Sequence, residues 1–406
     1  MLRRTLALTG ALVCALAPSA ASAATIPDGP EGDAFYRPPA DLVPGPEGTV
    51  IWKRPATGLA DVSGAARTTV VLYRSRAQDG TPIAVSGSVV IPRGAPPAGG
   101  WPVAAWSHVT TGAADTCAPS RAAPGNPELE RMIRSNHIVR RYLRAGIAVV
   151  RSDYEGIGTP GPHPYLIGRS LARATVDMVR AGRDLDPRLS ARYVASGHSE
   201  GGVASLFTAQ YGPAMAPELD LRGAAAVTPP VAAREIMDVA RRIPVANDVV
   251  GGLAALGSLI LAGAGTTDPH IDALLREGGL GPRATGLLAD IETRCLAELS
   301  KRDSWAGLVP AAIPGPRWRE LRDLLYPVLD ANDVRRADVG RIPIRLDVGV
   351  LDGVAPITLT RQVARAQRAR GADLVYREYA LGTHPNMTDD AFAGPPVVAW
   401  SAARLR

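Results

Sequence analysis

Five consecutive residues, Gly197-His198-Ser199-Glu200-Gly201, place one serine between small neighbours. Upstream, "RYVAS" alternates in the manner of a short strand; downstream, "GVASLF" reads as a helix. A Gly-x-Ser-x-Gly corner between strand and helix is the pattern of a nucleophile elbow. The turn forces the serine into strained backbone angles, only small side chains fit beside it, and the hydroxyl is left standing above the sheet edge. The helix start directs amides and a positive dipole end toward it.

A serine is a poor nucleophile near neutral pH and needs a base, which needs an orienting acid. On this architecture the order along the chain is serine, acid, histidine. Only His270 and His384 follow Ser199. His270, in "TTDPHIDALL", reads as the start of a helix, whereas His384, in "YALGTHPN", falls in a loop after the last predicted strand, so His384 is the expected base. Asp352, in "LDVGVLDGVAP", falls just beyond a strand end and is the expected acid; Asp347 lies inside that strand and Asp373 opens the next. An oxyanion needs two donors. One is expected from the backbone amide of Glu200, the other from the loop "WSHVTTGAADTC", at Thr110 or Thr111, with Thr111 preferred. The Glu200 carboxylate, if close to His384, would favour its protonated form; otherwise it is bonded elsewhere. His108 and His198 are expected to pack or bond locally, with His137 on a helix and His163 in a proline-rich turn.

The elements that must position these residues are visible in the pattern. "RTTVVLYRSRAQDGTPIAVSGSVVIP" is a hairpin around Asp79-Gly80. From "WPVAAWSH" onward strands alternate with helices: "PELERMIRSNHIVRRYLRAG" as one helix ended by Gly146, then "IAVVRSDY", the helix "GRSLARATVDMVRAGRDL", the serine corner, and "LRGAAAVTPP". Strands apolar throughout and alternating with helices predict an α/β fold with a mainly parallel sheet covered on both faces. Residues 231–340 read as helical only, including "LAALGSLILAG" and "ATGLLADIETRCLAEL", an insertion expected to form a cap. The alternation returns with "IPIRLDVGV", "TLTRQVARAQRARG" and "ADLVYREYA". The expected division is a leader at 1–23, an extended lead-in at 24–48, a core at 49–230 and 341–406, and the cap between.

The N-terminus carries Arg3 and Arg4, an apolar run and Ala21-Ser22-Ala23, which reads as a secretory signal cleaved near Ala23. Cys14 lacks a lipoprotein context, and the apolar run is too short to span a bilayer. Loss of the two arginines lowers the formal charge from +6 to +4. The remaining arginines are scattered, and no basic run interleaved with aromatics points to nucleic acid. Gly156, Gly158 and Gly161 spell GxGxxG, but three prolines in "TPGPHPYLIG" preclude the immediate helix a nucleotide site requires. No CxxC or HExxH suggests a metal, and no cofactor is expected. Cys117 and Cys295 remain after export and suggest one disulfide, worth roughly 4–5 kcal/mol in the chain-entropy model, with two buried thiols as the alternative.

Together "AWSHVTTG…DTCAPS", "SDYEGIGTPGPHPYLIG", "GHSEGG", "LDGVAP" and "GTHPN" resemble the secretory lipase family of the α/β-hydrolase superfamily, the group of the Candida lipase A type with its actinobacterial members. The resemblance implies an α/β-hydrolase fold, Ser199, Asp352 and His384 as a triad, and an insertion capping an acyl pocket. It implies a secreted hydrolase of triacylglycerol or another acyl ester, with transient contact with a lipid–water interface. A Cys117–Cys295 bridge would tether cap to core. Where many relatives carry His-Gly-Thr, this chain carries His108-Val109-Thr110, and valine disfavours any backbone angle that only glycine tolerates. A short-chain or aryl esterase on the same machinery, and a non-catalytic envelope or lipid-binding protein, are the alternatives.

Overall fold

The computed structural model describes residues 25–42 and 44–406; the expected leader and its cleavage point at Ala23 lie outside them. Among these residues the strands β1 (Val50–Pro55), β2 (Arg67–Arg76), β3 (Pro82–Ile91), β4 (Trp101–Ser107), β5 (Ala148–Ser152), β6 (Leu189–His198), β7 (Asp220–Val227), β8 (Ile344–Gly349) and β9 (Leu374–Tyr379) form one nine-stranded sheet. Its order is β1-β2-β3-β5-β4-β6-β7-β8-β9. The hairpin β2–β3 pairs in antiparallel register from Arg67 opposite Ile91 to Arg76 opposite Pro82, and β3 joins β5 antiparallel. From β5 through β9 every neighbour is parallel.

A mainly parallel sheet is what the alternation of apolar strands and helices predicts, and the arrangement is the α/β-hydrolase fold that the family resemblance implies. The helices are α1 (Leu129–Arg134), α2 (Asn136–Arg144), α3 (Gly168–Leu185), α4 (Glu200–Met215), α5 (Ala233–Ala240), α6 (Asp248–Gly265), α7 (Pro269–Arg276), α8 (Pro282–Gly286), α9 (Leu288–Thr293), α10 (Leu296–Leu299), α11 (Trp318–Ala331), α12 (Ile357–Ala369) and α13 (Gly394–Leu405). Residues of α3, α4 and α12 share one core cluster on one sheet face, with Leu171, Val176, Leu206, Phe207 and Val363. Residues of α2 and α13 cover the other face through Ile138, Tyr142, Val397 and Val398. The strands between them are therefore wet on neither side, which is why β4 and β5 read as continuous apolar runs.

Three elements differ from expectation. The single helix expected across Leu129–Arg144 breaks at Ser135-Asn136. Asn and Ser side chains compete with helical hydrogen bonds, and the side-chain Oδ1 of Asn136 accepts from Arg151 at 2.8 Å. "ATGLLADIETRCLAEL" is not one helix but α8, α9 and α10. Arg294 and Cys295 are extended there, because Cys295 is drawn out to pair with Gly112 and to form a disulfide with Cys117. The lead-in is not extended throughout: a 3-10 turn at Gly32–Tyr36 buries Phe35 and Tyr36, with Arg54 and Arg121 over their rings.

Between β7 and β8 the helices α5–α11 gather around their own apolar cluster, including Leu259, Leu274, Leu288, Trp305 and Leu325. No helix among the described residues is long and apolar enough to cross a membrane. The disulfide spans 178 residues of sequence and joins this insertion to the loop after β4. The double variant Cys117→Ser/Cys295→Ser is expected to lose about 2–5 kcal/mol of stability, read as a lowered urea midpoint; an unchanged midpoint would mean that the bridge constrains nothing in the unfolded chain.

Candidate active site

The corner between β6 and α4 is held open by strain. Ser199 sits at φ 59°, ψ −119°, a region that side chains with a Cβ avoid and that costs on the order of 1–3 kcal/mol. The surroundings over-determine it. Its amide donates to the carbonyl of Val227 at 2.9 Å, and its carbonyl accepts from Gly202 at 2.8 Å and Val203 at 3.1 Å. Glycine is required beside it for a different reason: a Cβ on Gly201 would stand 2.0 Å from the Ser107 carbonyl oxygen, so α4 begins in direct backbone contact with the end of β4.

Ser199, His384 and Asp352 come together at the carboxyl ends of the strands. His384 Nε2 lies 2.8 Å from Ser199 Oγ, and His384 Nδ1 lies 2.8 Å from Asp352 Oδ2. A carboxylate only accepts, so Nδ1 carries the proton and Nε2 is free to accept from the hydroxyl. The other oxygen of Asp352 accepts from the amides of Val354 at 2.8 Å and Ala355 at 2.7 Å, which fixes the carboxylate plane. The loops carrying Asp352 and His384 are tied together as well, since Leu351 N donates to Gly382 O at 2.9 Å. His198 lies behind the base, its ring centroid 5.2 Å from that of His384; burial pushes its pKa well below the usual histidine range and keeps it neutral.

The two other carboxylates considered are elsewhere. Asp347 is buried in β8, gripped by Arg345 at 2.7 Å through each oxygen and by Tyr379 at 2.8 Å. Asp373 is solvent-facing and pairs with Arg404. His270 is exposed near the start of α7, its amide and ring bonded to Asp268. His137 reaches the carbonyl of Thr388 at 2.7 Å.

In the loop after β4, Thr110 Oγ1 lies 2.9 Å from the hydroxyl of Tyr165, while the Thr111 hydroxyl is buried without a partner and its carbonyl accepts from Leu296 at 2.9 Å. Val109 carries no strain: the left-handed angle of this loop falls at Gly112, φ 129°, which leaves valine an ordinary conformation. The amide of Glu200 belongs to the first turn of α4, whose N–H groups have no acceptor within the helix. The Glu200 side chain is turned inward, fully buried, with Oε1 2.9 Å from His163 Nε2. This contact is not legible in the sequence. The stretch "HPYL" is distinctive, but nothing in its spacing assigns His163 to Glu200.

A cavity of about 140 Å³ lies beside Ser199, between the sheet and the insertion. Its walls are aliphatic and aromatic, with Ile236, Leu253, Leu256, Ile260, Trp305 and Val328 among them. Ser199, backed by His384 and Asp352, lines a mostly apolar cavity whose wall also carries Arg241, Asn332 and Asp333, an arrangement suited to attack on a polar carbonyl that carries an apolar substituent. The loop of Gly156, Gly158 and Gly161 turns repeatedly before α3 begins at Gly168. Among the described residues no group of His, Cys, Asp or Glu is arranged to hold a metal.

Residues 132–406 match the secretory lipase family profile. Lipase A of Arthroderma benhamiae is 27% identical over 93% of this chain and 80% of its own length, and Lipase 4 of Candida albicans 27% identical over 94% and 82%. Among solved structures, Candida antarctica lipase A in its closed state superposes with a TM-score of 0.75 at 20% identity, covering 91% of this chain and 85% of that one. A rice cell wall degrading esterase from Xanthomonas oryzae superposes with a TM-score of 0.67 at 19% identity, covering 89% and 100%.

Replacing Gly201 by alanine should drive Ser107 and α4 apart, with a cost of about 1–3 kcal/mol. The expected result is a lower melting temperature together with slower fluorophosphonate labelling of Ser199. Wild-type melting and labelling would show that the corner has room to spare.

Proposed function

Because the chain belongs to the secretory lipase family, and is thereby a carboxylic-ester hydrolase acting on lipid esters and exported from the cell, we propose that it is a triacylglycerol lipase working through an acyl-enzyme on Ser199. The observation that carries this reading is the unbroken hydrogen-bonded line from Ser199 Oγ through His384 to Asp352, with Ser199 on the wall of a mostly apolar cavity.

His384 Nε2 takes the hydroxyl proton as Ser199 attacks the ester carbonyl. Asp352, held by two amides and unable to rotate, keeps the ring in the tautomer with Nδ1 protonated and stabilises the imidazolium that forms. The amide of Glu200 and a donor from the Thr110–Thr111 segment receive the oxyanion; Thr111 is the favoured residue, because the Thr110 hydroxyl is engaged by Tyr165. His384 then protonates the leaving alcohol, activates a water, and the acyl chain leaves the cavity.

The division of the chain follows from the same reading. Residues 231–340 are a cap whose inner side forms the acyl wall, and residues 49–230 and 341–406 are the catalytic core. The leader is removed near Ala23. The enzyme meets its substrate at a lipid–water interface, with Leu351 and Leu381, exposed beside the acid and base loops, as apolar contacts.

A short-chain or aryl esterase is the second reading, and the Xanthomonas structure, which is described as an esterase, is the observation that favours it. Rates across p-nitrophenyl esters of increasing acyl length separate the two: the proposal expects a maximum well beyond acetate, and a maximum at acetate would select the esterase. Ser199→Ala should abolish hydrolysis with the fold intact, and full retained activity would refute the assignment. Asp352→Asn is expected to lower kcat by about 10⁴-fold by stabilising the wrong tautomer; a loss of less than about ten-fold in steady-state kinetics would remove Asp352 from the triad.

A further inference from the structure

A second acid–histidine couple lies immediately behind the first. Glu200 follows Ser199 in sequence, and its carboxylate points the opposite way, into the protein, to His163 Nε2 at 2.9 Å. Both side chains are almost wholly removed from solvent, the histidine at 1% and the glutamate at 0%. Burying charge at such depth costs several kcal/mol per ion unless the pair is well arranged.

The proton count of this couple can be worked out from its partners. His163 Nδ1 lies 2.8 Å from the backbone carbonyl of Glu155, and a carbonyl can only accept, so Nδ1 carries a proton. Had Nε2 no proton and Glu200 none either, two lone pairs would face each other at 2.9 Å in a dry interior. One proton must therefore lie between Nε2 and Oε1, and the couple as a whole carries no net charge whichever atom holds it. The remaining oxygen, Oε2, is buried without a hydrogen-bond partner, which is tolerable on a carboxyl group that shares a proton and costly on an isolated anion.

The couple is also the hinge of the contacts that shape the oxyanion side. The rings of His108, Tyr154 and His163 stack in sequence, with centroids 4.2 Å and 6.0 Å apart. The Tyr154 hydroxyl donates to the His108 carbonyl at 2.8 Å, and Tyr165, two residues beyond His163, holds Thr110. The Glu200 end sits in the first turn of α4, whose amide is the proposed oxyanion donor; the His163 end sits in the segment after β5, whose Tyr154 and Tyr165 hold His108 and Thr110 of the loop after β4.

We propose that Glu200 and His163 are a proton-sharing positioning pair, which locks the two halves of the oxyanion site together while keeping a negative charge away from the place where the oxyanion forms. This rests on the assignment of Ser199 as nucleophile. A free carboxylate one residue from the nucleophile would repel the developing negative charge, whereas the neutral couple does not. The other titratable groups that interact with it are His108 from the loop after β4, Tyr154 and Glu155 from the loop after β5, and Tyr165 before α3. Burial keeps His108 neutral and pushes both tyrosines above the usual phenol range and Glu155 above the usual carboxyl range.

The test compares His163→Leu with His163→Leu/Glu200→Gln. In the single variant Glu200 has lost the group that shares its proton. Its carboxyl is neutral at low pH and becomes an unpaired anion as pH rises, so kcat should fall toward alkaline pH, on the order of ten-fold or more beyond the wild-type profile, with KM little changed. In the double variant nothing ionises there, and the added alkaline loss should vanish although kcat stays below wild type. His163→Gln, which keeps a donor but no ionisable proton, carries the same comparison should the leucine chain not fold. Thermal melting at each pH separates unfolding from slowed turnover. Equal, pH-independent losses in single and double variants, or a wild-type profile in the single, would overturn the proposal. Turnover by the wild type that Ser199→Ala abolishes establishes the nucleophile independently, so failure of the pair and failure of the nucleophile assignment give different results.

Discussion

The backbone of one residue, Ser199 at φ 59°, is the constraint around which the rest is arranged. A strained corner persists only when its surroundings leave no alternative, and here they leave none. The parallel ladder of β6 with β4 and β7 fixes where the strand must end. The backbone contact of Gly201 with Ser107 fixes where α4 must begin. The helix itself is buried on nearly every side over its first ten residues, so it cannot tilt to relieve the turn. Burial of Val203, Leu206 and Phe207 supplies about 1.5–3 kcal/mol each, which exceeds the cost of the corner.

Three carboxylates near this end of the sheet show that partner sets, not residue type, decide what an acid does. Asp352 accepts from two amides and faces one imidazole, which holds its carboxylate in a fixed plane. Asp347, earlier on the same strand and loop, is matched oxygen by oxygen to Arg345 and closes a structural ion pair. Glu200 has a single histidine and an empty second oxygen. Strand alternation alone would place Asp347 and Asp352 on opposite faces, and the turn at 350–352 then carries the latter beyond the sheet edge, where a base can reach it.

What was legible in the sequence was whatever depends on local geometry. The corner could be read because glycine, serine and glycine at fixed spacing are a local steric requirement, and the hairpin because Asp79-Gly80 is a local turn requirement. Helix α13 was not read, since it opens on Gly394-Pro395-Pro396, which resembles a loop although proline is at ease in a first helical turn. The break between α9 and α10 depends on a cysteine 178 residues away, and no helical periodicity carries that information. Glu200 and His163 escaped for the same reason: 37 residues separate them, and their meeting is a product of how α3 and α4 pack. In the loop after β4, valine in place of glycine suggested trouble that the chain avoids by placing its left-handed residue further on, at Gly112.

The insertion is not a free flap, and its attachments define how the cavity can be reached. One edge is pinned to the loop after β4 by Cys117–Cys295 and by Leu296 N to Thr111 O, so this edge and the Thr110–Thr111 segment move together or not at all. The two stems are joined to one another: Asp333 accepts the amide of Ala232 at 3.0 Å and binds Arg335, which binds Glu235 at 2.7 Å. Asn332 adds a tie to the core by accepting the amide of Gly168 at 2.8 Å. Between these anchors α5 has no fully buried residue and presents Val239 to solvent while Ile236 and Met237 face the cavity. A helix with no fully buried residue is held by less packing than the sheet helices, so α5 is the least anchored part of the cavity wall, in contrast to the disulfide-bonded half. The cavity wall is therefore uneven in its support: tied covalently to the loop after β4 on one side, and formed on the other by a helix held only by half-buried contacts.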